Sequence, residues 1–338
     1  MVTITSLAKD ERSARVALAS TLEPDDAVTG RLLAAVGAVE TVRLAAGAGA
    51  LPKNVDAVEA RLWRNKVAPR MDARTVTQAL AETDRLGLRI LIPSDDEWPT
   101  ALNDLGNRAP TALWLRGAVS YLTAPLNDRV TITGARAATS YGEHVTGELA
   151  SNLTHAERII VAGGAYGIDA ETHRAATAVR SGSTIAVLAG GVDRPYPAAH
   201  ASLFQRIADG GGLLLSEVPP GFSPSRDRFV ARARLMAALS AATVIPEATS
   251  RSGSLRVAMA AYDLGRRIGA VPGPITSAAS NGCNLLLAEE LAEVVTGAGD
   301  VESMLDPAPA AYRLPPAYQQ AARRAAPEAS RSAGRAPL

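Results

Sequence analysis

Between Arg129 and Asp169 the chain runs twice through the same order of residues: a short β-branched and apolar run, a glycine turn, then an amphipathic segment. In the first copy Val130 to Thr133 is followed by Gly134-Ala135-Arg136 and then by Tyr141 to Leu153. In the second, Ile159 to Ala162 is followed by Gly163-Gly164-Ala165-Tyr166-Gly167 and a helix entered at Asp169. Short runs rich in β-branched residues and bounded by glycine turns read as strands, and the segments after them are amphipathic helices. Two strand–turn–helix units in succession require a crossover connection, hence a parallel sheet covered by helices. In such sheets the amides at helix N-termini face outward past the strand ends, where an anion can replace water. Function is expected on that edge.

The alternation continues to Asp300, with further strands expected at Thr184 to Leu188, Gly212 to Leu215, Ala242 to Ile245 and Ile268 to Val271. Leu88 to Ile92 and Ala112 to Gly117 are strand-like and are expected to extend one edge of the sheet, with Trp98 and Trp114 filling core gaps. Before them, Asp10 to Leu22, Asp26 to Ala46 (interrupted by Gly37), Val55 to Asn65 and Asp72 to Arg85 read as helices. A helical hairpin with a glycine turn can present amides to a DNA phosphate, although most such hairpins are packing units. The expected fold is therefore α/β: an extended Rossmann-like, doubly wound, mainly parallel sheet at residues 87–305, preceded by a small all-α domain at 1–86. The stretch 306–338 is rich in Pro, Ala and Arg and is expected to be disordered.

Composition removes several function classes. With 35 basic and 34 acidic residues the formal net charge is +1, so a polyanion must be held by a local patch and not by the field of the whole molecule. A single cysteine, Cys283, excludes an intramolecular disulfide and a multi-cysteine zinc site, and the four histidines lack ligand spacing. No metal is expected. No apolar run approaches the ~20 residues that cross a bilayer, and the N-terminus lacks a signal-peptide core, so a cytoplasmic protein with no membrane contact is expected.

Five glycine or polar turns fall on one edge of the expected sheet: 134–136, 163–167, 190–193, 216–234 and 250–254. Single glycines after strands often serve turn geometry alone, but five on one edge favour a ligand crevice. The dinucleotide fingerprint G-x-G-x-x-G is absent from the first turn, which argues against a nicotinamide dehydrogenase. The segment Ser225-Arg226-Asp227-Arg228-Phe229-Val230-Ala231-Arg232-Ala233-Arg234 gathers four arginines around one aromatic ring near a helix start. Guanidinium groups fork onto phosphates and an aromatic face accepts a base, which suits single-stranded nucleic acid. The plainer alternative is a solvated basic face with Phe229 in the core. Arg136 adds a donor from another strand end, and Ser252-Gly253-Ser254 offers hydroxyls and open backbone, or simply helix caps. Asp169 is most simply an N-cap and His173 a polar side chain partly buried on its helix. With Asp193 and Glu217 unpaired to any base in sequence, no catalytic residue is assigned.

These words in this order resemble the bacterial DNA-processing protein DprA (Smf) family. They are Gly134-Ala135-Arg136 with Ser140-Tyr141-Gly142, Gly167-Ile168-Asp169 with His173, Gly191-Val192-Asp193 with Tyr196-Pro197, Leu214-Leu215-Ser216-Glu217 with Pro219-Pro220-Gly221, and Phe229 with Arg232 and Arg234. Further on stand Ser252-Gly253-Ser254-Leu255, Val271-Pro272-Gly273, and Gly282 with Asn284. The resemblance spans about Leu91 to Asp300. It implies a Rossmann-like domain that binds single-stranded DNA, dimerises and loads the recombinase RecA onto DNA in natural transformation, without a nucleotide cofactor or ATP hydrolysis. DNA contacts are accordingly expected at Gly134, Arg136, Gly164, Gly167, Phe229, Arg232, Arg234, Ser252, Gly253, Ser254 and Asn284.

The chain departs from the family's usual pattern at Ala135 (Ser), Val230 (Pro), Ala233 (Asn) and Glu290-Leu291 (Gly-Ala), which removes two polar groups expected in the DNA pocket. The segment after Asp306 is too short for the winged-helix domain that many members carry, so that domain is expected to be lacking. Two other readings remain open: a Rossmann-like nucleotide sensor or nucleoside-phosphate hydrolase, and an interaction scaffold that no longer binds DNA.

Overall fold

Nine strands form a single sheet in the computed structural model, which describes residues 3–53 and 55–306. They are β1 (Arg89–Leu91), β2 (Leu113–Gly117), β3 (Arg129–Ile132), β4 (Ile159–Ala162), β5 (Thr184–Val187), β6 (Leu213–Ser216), β7 (Ala242–Ile245), β8 (Arg267–Ala270) and β9 (Glu293–Val294). Their order across the sheet is β1-β2-β6-β5-β4-β3-β7-β8-β9. Every pairing from β6 to β9 is parallel, while β1 and β2 add an antiparallel edge. The α/β, mainly parallel architecture expected from the sequence is the one observed. Each of β3 to β7 is buried along its whole length, as strands covered on both faces must be.

The covering helices are α6 (Ser140–His155), α7 (Ile168–Val179), α8 (Ala201–Asp209), α9 (Arg226–Ala238), α10 (Leu255–Asp263), α11 (Asn281–Ala288) and α12 (Ala298–Leu305). Strand β4 shows how the two layers are separated. Ile159 and Val161 join the apolar cluster of α9 and α10, whereas Ile160 joins that of α6, α7 and α12. Alternate residues of a strand point to opposite faces, so one four-residue strand feeds both cores.

Ahead of the sheet lie α1 (Ile4–Leu7), α2 (Glu11–Thr21), α3 (Ala27–Ala45), α4 (Ala57–Val67) and α5 (Ala73–Arg85). Asp10, Asp26, Asp56 and Asp72 cap α2 to α5 by accepting N–H bonds from their first turns. Gly37, at φ 76°, kinks α3 instead of reversing the chain. The amide that the kink frees, Ala38 N–H, donates to the Glu11 carboxylate at 3.0 Å, so the protein's own acid stands where a DNA phosphate could have been received. The helical segment packs on the antiparallel edge through Val16, Ile92, Ala112 and Trp114, and Trp114 Nε1 donates to Thr83 Oγ1 at 3.0 Å. Both Trp98 and Trp114 are buried, as expected.

Strand β3 is the branch point. From it the chain winds to β4, β5 and β6 on one side, then crosses back to β7, β8 and β9 on the other. The turns after β3 and β7 therefore diverge, and a crevice opens at the C-terminal ends of the strands. Three local features differ from expectation. The two-residue β9 and the short α1 carry no readable period. Asp169 lies inside the first turn of α7, whose cap is Gly167. Glu290 adopts φ 55°, the left-handed conformation that favours glycine, at a position where the family resemblance implies glycine. The expected disordered tail beyond Asp306 lies outside the described residues.

Candidate nucleic-acid interface

The turns after β3, β4 and β7 are clasped together by the backbone itself. Ala135 N–H donates to the Glu247 carbonyl at 2.7 Å, and Ile168 N–H donates to the Ala135 carbonyl at 3.1 Å. Gly167 makes the closure feasible. It sits at φ 69°, and a Cβ there would run into the carbonyl oxygens of Ala135 and Arg136. Helix α9 then enters beside these turns, capped by Ser225 Oγ, which accepts from Arg228 N–H at 3.2 Å.

Between α9, the turn after β3 and the start of α10 lies a cavity of about 700 Å³. Its wall includes Gly134, Arg136, Phe229, Arg232, Ser252, Gly253 and Ser254, so seven of the eleven positions expected from sequence meet there. The Arg136 guanidinium stands 5.1 Å and that of Arg232 5.4 Å from the centre of the Phe229 ring, and the Tyr196 ring meets Phe229 edge-on at 5.6 Å. Phe229 was expected to offer its face to a base. Instead it holds two cations, each drawn to the ring's negative face.

Charge in this wall is lopsided. Four arginines line it, Arg136, Arg226, Arg232 and Arg256, against one carboxylate, Asp169. Asp169 is buried and already accepts from Thr133 Oγ1 at 2.6 Å and Ala165 N–H at 3.1 Å. Among the described residues Arg136, Arg226 and Arg256 form no ion pair. Arg232 spends one donor, from Nη1, on the Val187 carbonyl at 3.3 Å, and its Nε has no partner among the described residues. Burial lowers the Arg232 pKa; nearby Asp169 opposes the shift and the Arg136 charge adds to it. Two like charges with unspent donors, gathered over one ring, are stabilised by an anion placed between them.

Four expected positions lie elsewhere. Gly164 and Gly167 shape the wall from behind: a Cβ on Gly164 would strike the Phe204 ring. Asn284 joins α11 to the preceding loop, accepting from Gly273 N–H at 3.2 Å and donating to its carbonyl at 3.1 Å. Arg234 corrects the expectation outright. It is 3% exposed, forms a two-pronged pair with Glu217 at 2.7 Å on each arm, meets Asp25 at 3.1 Å, and donates from Nε to the Arg108 carbonyl at 2.7 Å. Burial alone would lower its pKa, but Glu217 and Asp25 outweigh that and raise it. A buried side chain with every nitrogen bonded inside the protein and two carboxylates against its charge is not presented to DNA. Arg228 is likewise turned away, to Glu23 at 2.9 Å.

Arg256 and Tyr196 were missed by sequence reasoning. Arg256 directly follows Ser252-Gly253-Ser254-Leu255, so its place at the opening of α10 was available from spacing. Ala135, Val230 and Ala233, the departures noted above, all line the cavity. His173 lies outside the cavity wall. Fully buried, it must donate from Nε2 to the Gly163 carbonyl at 2.6 Å, since that oxygen can only accept; Nδ1 stands 2.8 Å from Thr184 Oγ1, whose single proton lies between it and the Ile160 carbonyl at 2.9 Å. Burial depresses its pKa to about 4, which makes it a neutral strut beneath the turn and not the partly buried side chain expected. Asp193 accepts from Gly221 N–H at 3.0 Å.

The family model for DNA recombination-mediator protein A matches residues 89–306. In sequence the chain is 47% identical over 227 residues to a DNA processing protein DprA of Mycobacterium tuberculosis, an alignment covering 64% of this chain and 57% of that one. It is 37% identical over 207 residues to the DNA processing protein DprA of Streptococcus pneumoniae, covering 61% and 71%. The chain thus spans little more than half the length of the mycobacterial relative. Among solved structures, the streptococcal protein superposes with TM-score 0.67 at 26% identity, over 89% of this chain and 97% of that one. DNA processing protein A from Helicobacter pylori, described by a unique single-stranded DNA binding mode, gives TM-score 0.58 at 31% identity over 64% and 95%.

Proposed function

This chain belongs to the DNA recombination-mediator protein A family, and from that premise we propose that it holds single-stranded DNA in the cavity at the strand ends. The observation that carries the reading is the convergence of Arg136 and Arg232, from different segments of the chain, on the single ring of Phe229 with donors unspent. Phosphate oxygens satisfy those donors, Arg226 and Arg256 extend the cationic wall, and Ser252 and Ser254 supply hydroxyls beside open backbone at Gly253. The role is binding and not bond-making. Asp169, the one carboxylate in the wall, and His173 beneath the turn are both engaged in internal hydrogen bonds. Homodimerisation and loading of a RecA-type recombinase, both implied by the family resemblance, complete the proposal, as does action in the cytoplasm.

Fluorescence anisotropy with oligo-dT and with a duplex of equal length, each at two salt concentrations, tests the binding step. Four phosphate contacts predict a log–log salt slope of about −3 on the single strand, with the duplex bound more weakly. Equal affinity for both, or stabilisation by mononucleotides alone, contradicts the reading. The loading step is checked separately by the lag before a recombinase becomes active on DNA coated with single-strand-binding protein. This chain is expected to shorten that lag, and an unchanged lag removes the loading claim while leaving DNA binding intact.

A further inference from the structure

Resting on the single-stranded DNA reading, we propose that the side of the cavity formed by the turns after β4 and β5 is a base-stacking subsite, with Tyr196, in the cavity wall, as its principal platform and Tyr166, just outside that wall, as the next. Aromatic residues make up 4% of this chain, yet all three phenylalanines, Phe204, Phe222 and Phe229, lie in or beside this region together with the two tyrosines. Phe204 is buried under His200, and Phe222 and Phe229 carry the guanidinium groups of Arg228, and of Arg136 and Arg232. Those three rings are occupied. The tyrosines are not: Tyr196 is 52% and Tyr166 50% exposed, and neither hydroxyl has a hydrogen-bond partner among the described residues.

Both rings are nevertheless held in place. Tyr196 lines the cavity and rests edge-on against Phe229 at 5.6 Å, so it is anchored to the ring that positions the two phosphate-gripping arginines. Tyr166 follows Ala165, itself in the cavity wall, and leans on His200 at 4.8 Å; His200 Nδ1 is in turn 3.1 Å from the Gly164 carbonyl. A ring that is backed by a second ring, half open to solvent and next to a cationic groove presents a face on which any base can stack, because every base has one. A duplex hides those faces. The subsite therefore supplies a reason for preferring single strands that phosphate contacts alone do not provide.

The test compares oligo-dT with an abasic oligomer of the same length, which keeps the phosphates and removes the bases. The unmodified chain is expected to bind oligo-dT roughly tenfold more tightly than the abasic strand. Tyr196→Leu should lose most of that difference, Tyr196→Phe should retain it, and Tyr166→Leu should lose a smaller part. Equal binding of both oligomers by the unmodified chain overturns this inference and leaves the phosphate grip standing. Binding of neither overturns both. Because the first comparison needs no substitution, the proposal stays testable even if Tyr196→Leu fails to fold.

Discussion

Two arginines stand two residues apart on α9 and have opposite employment. Arg232 faces the cavity, with an unsatisfied Nε and a neighbouring like charge in Arg136. Arg234 faces the other way, into Glu217, Asp25 and the Arg108 carbonyl. Two residues of α-helix turn the side chain by about 200°, so the adjacent words Arg232 and Arg234 cannot share a ligand. On α9 Arg232 is left electrostatically incomplete, while Arg234 is complemented by two carboxylates. The first is what a ligand site requires, the second what a structural brace requires, and residue type alone does not tell them apart.

The largest expected effect tests the braced side. Arg234→Ala leaves the buried Glu217 without its partner and should cost about 3–5 kcal/mol of stability, read as a shift of the urea midpoint. Oligonucleotide affinity of the folded fraction should change little. A stable Arg234→Ala protein with weakened DNA binding would erase the contrast between the two faces.

The cavity side rests on a neutral histidine, and pH exposes it. His173 has its pKa depressed from 6.5 to about 4 by burial, so between those values the unfolded chain binds a proton that the folded one refuses. Its contribution is therefore complete above pH 6.5, shrinks as pH falls toward 4 and is level below that, a loss of about 3 kcal/mol. Urea midpoints measured from pH 7.5 to 4 should follow this course, and His173→Gln should flatten it. An unaltered pH profile in that variant would mean another group titrates.

Smaller effects sharpen the picture. Glu290→Gly relieves a left-handed backbone at φ 55° and should stabilise the chain by up to about 1 kcal/mol; destabilisation would show that the Glu290 side chain contributes contacts that outweigh the strain. Glu23→Ala breaks the pair to Arg228, whose Glu23 side is 45% exposed, and should cost no more than about 1 kcal/mol with no change in DNA affinity.

Much of the fold was legible because its signals are local. The buried strands β3 to β7 are short runs rich in β-branched and apolar residues, and the caps Asp10, Asp26 and Asp72 precede periodic segments. Seven of the eleven expected site positions share one cavity because strand-end turns of a parallel sheet necessarily fall on one edge. What was not legible depends on partners distant in sequence. Arg234 is claimed by Asp25, from a segment more than two hundred residues earlier, and Ala38 N–H by Glu11. Nothing in the local sequence announces either. The separation of Arg232 from Arg234 was different in kind, since helical periodicity already contained it. Reading the arginines as one cluster passed over that spacing.

Arginines left unpaired around the cavity, Arg136 and Arg232, are proposed to grip a polyanion, while arginines paired to carboxylates within the protein do not. The most direct measurement is the salt dependence of oligo-dT binding for Arg136→Gln beside Arg108→Gln, two exposed arginines of which only the first borders the cavity and the second pairs with Asp25 at 2.6 Å. Arg136→Gln is expected to weaken binding about tenfold and to lower the magnitude of the slope by about 0.7, while Arg108→Gln leaves both unchanged. Equal slopes in the two variants, or a loss confined to Arg108→Gln, would contradict that grip.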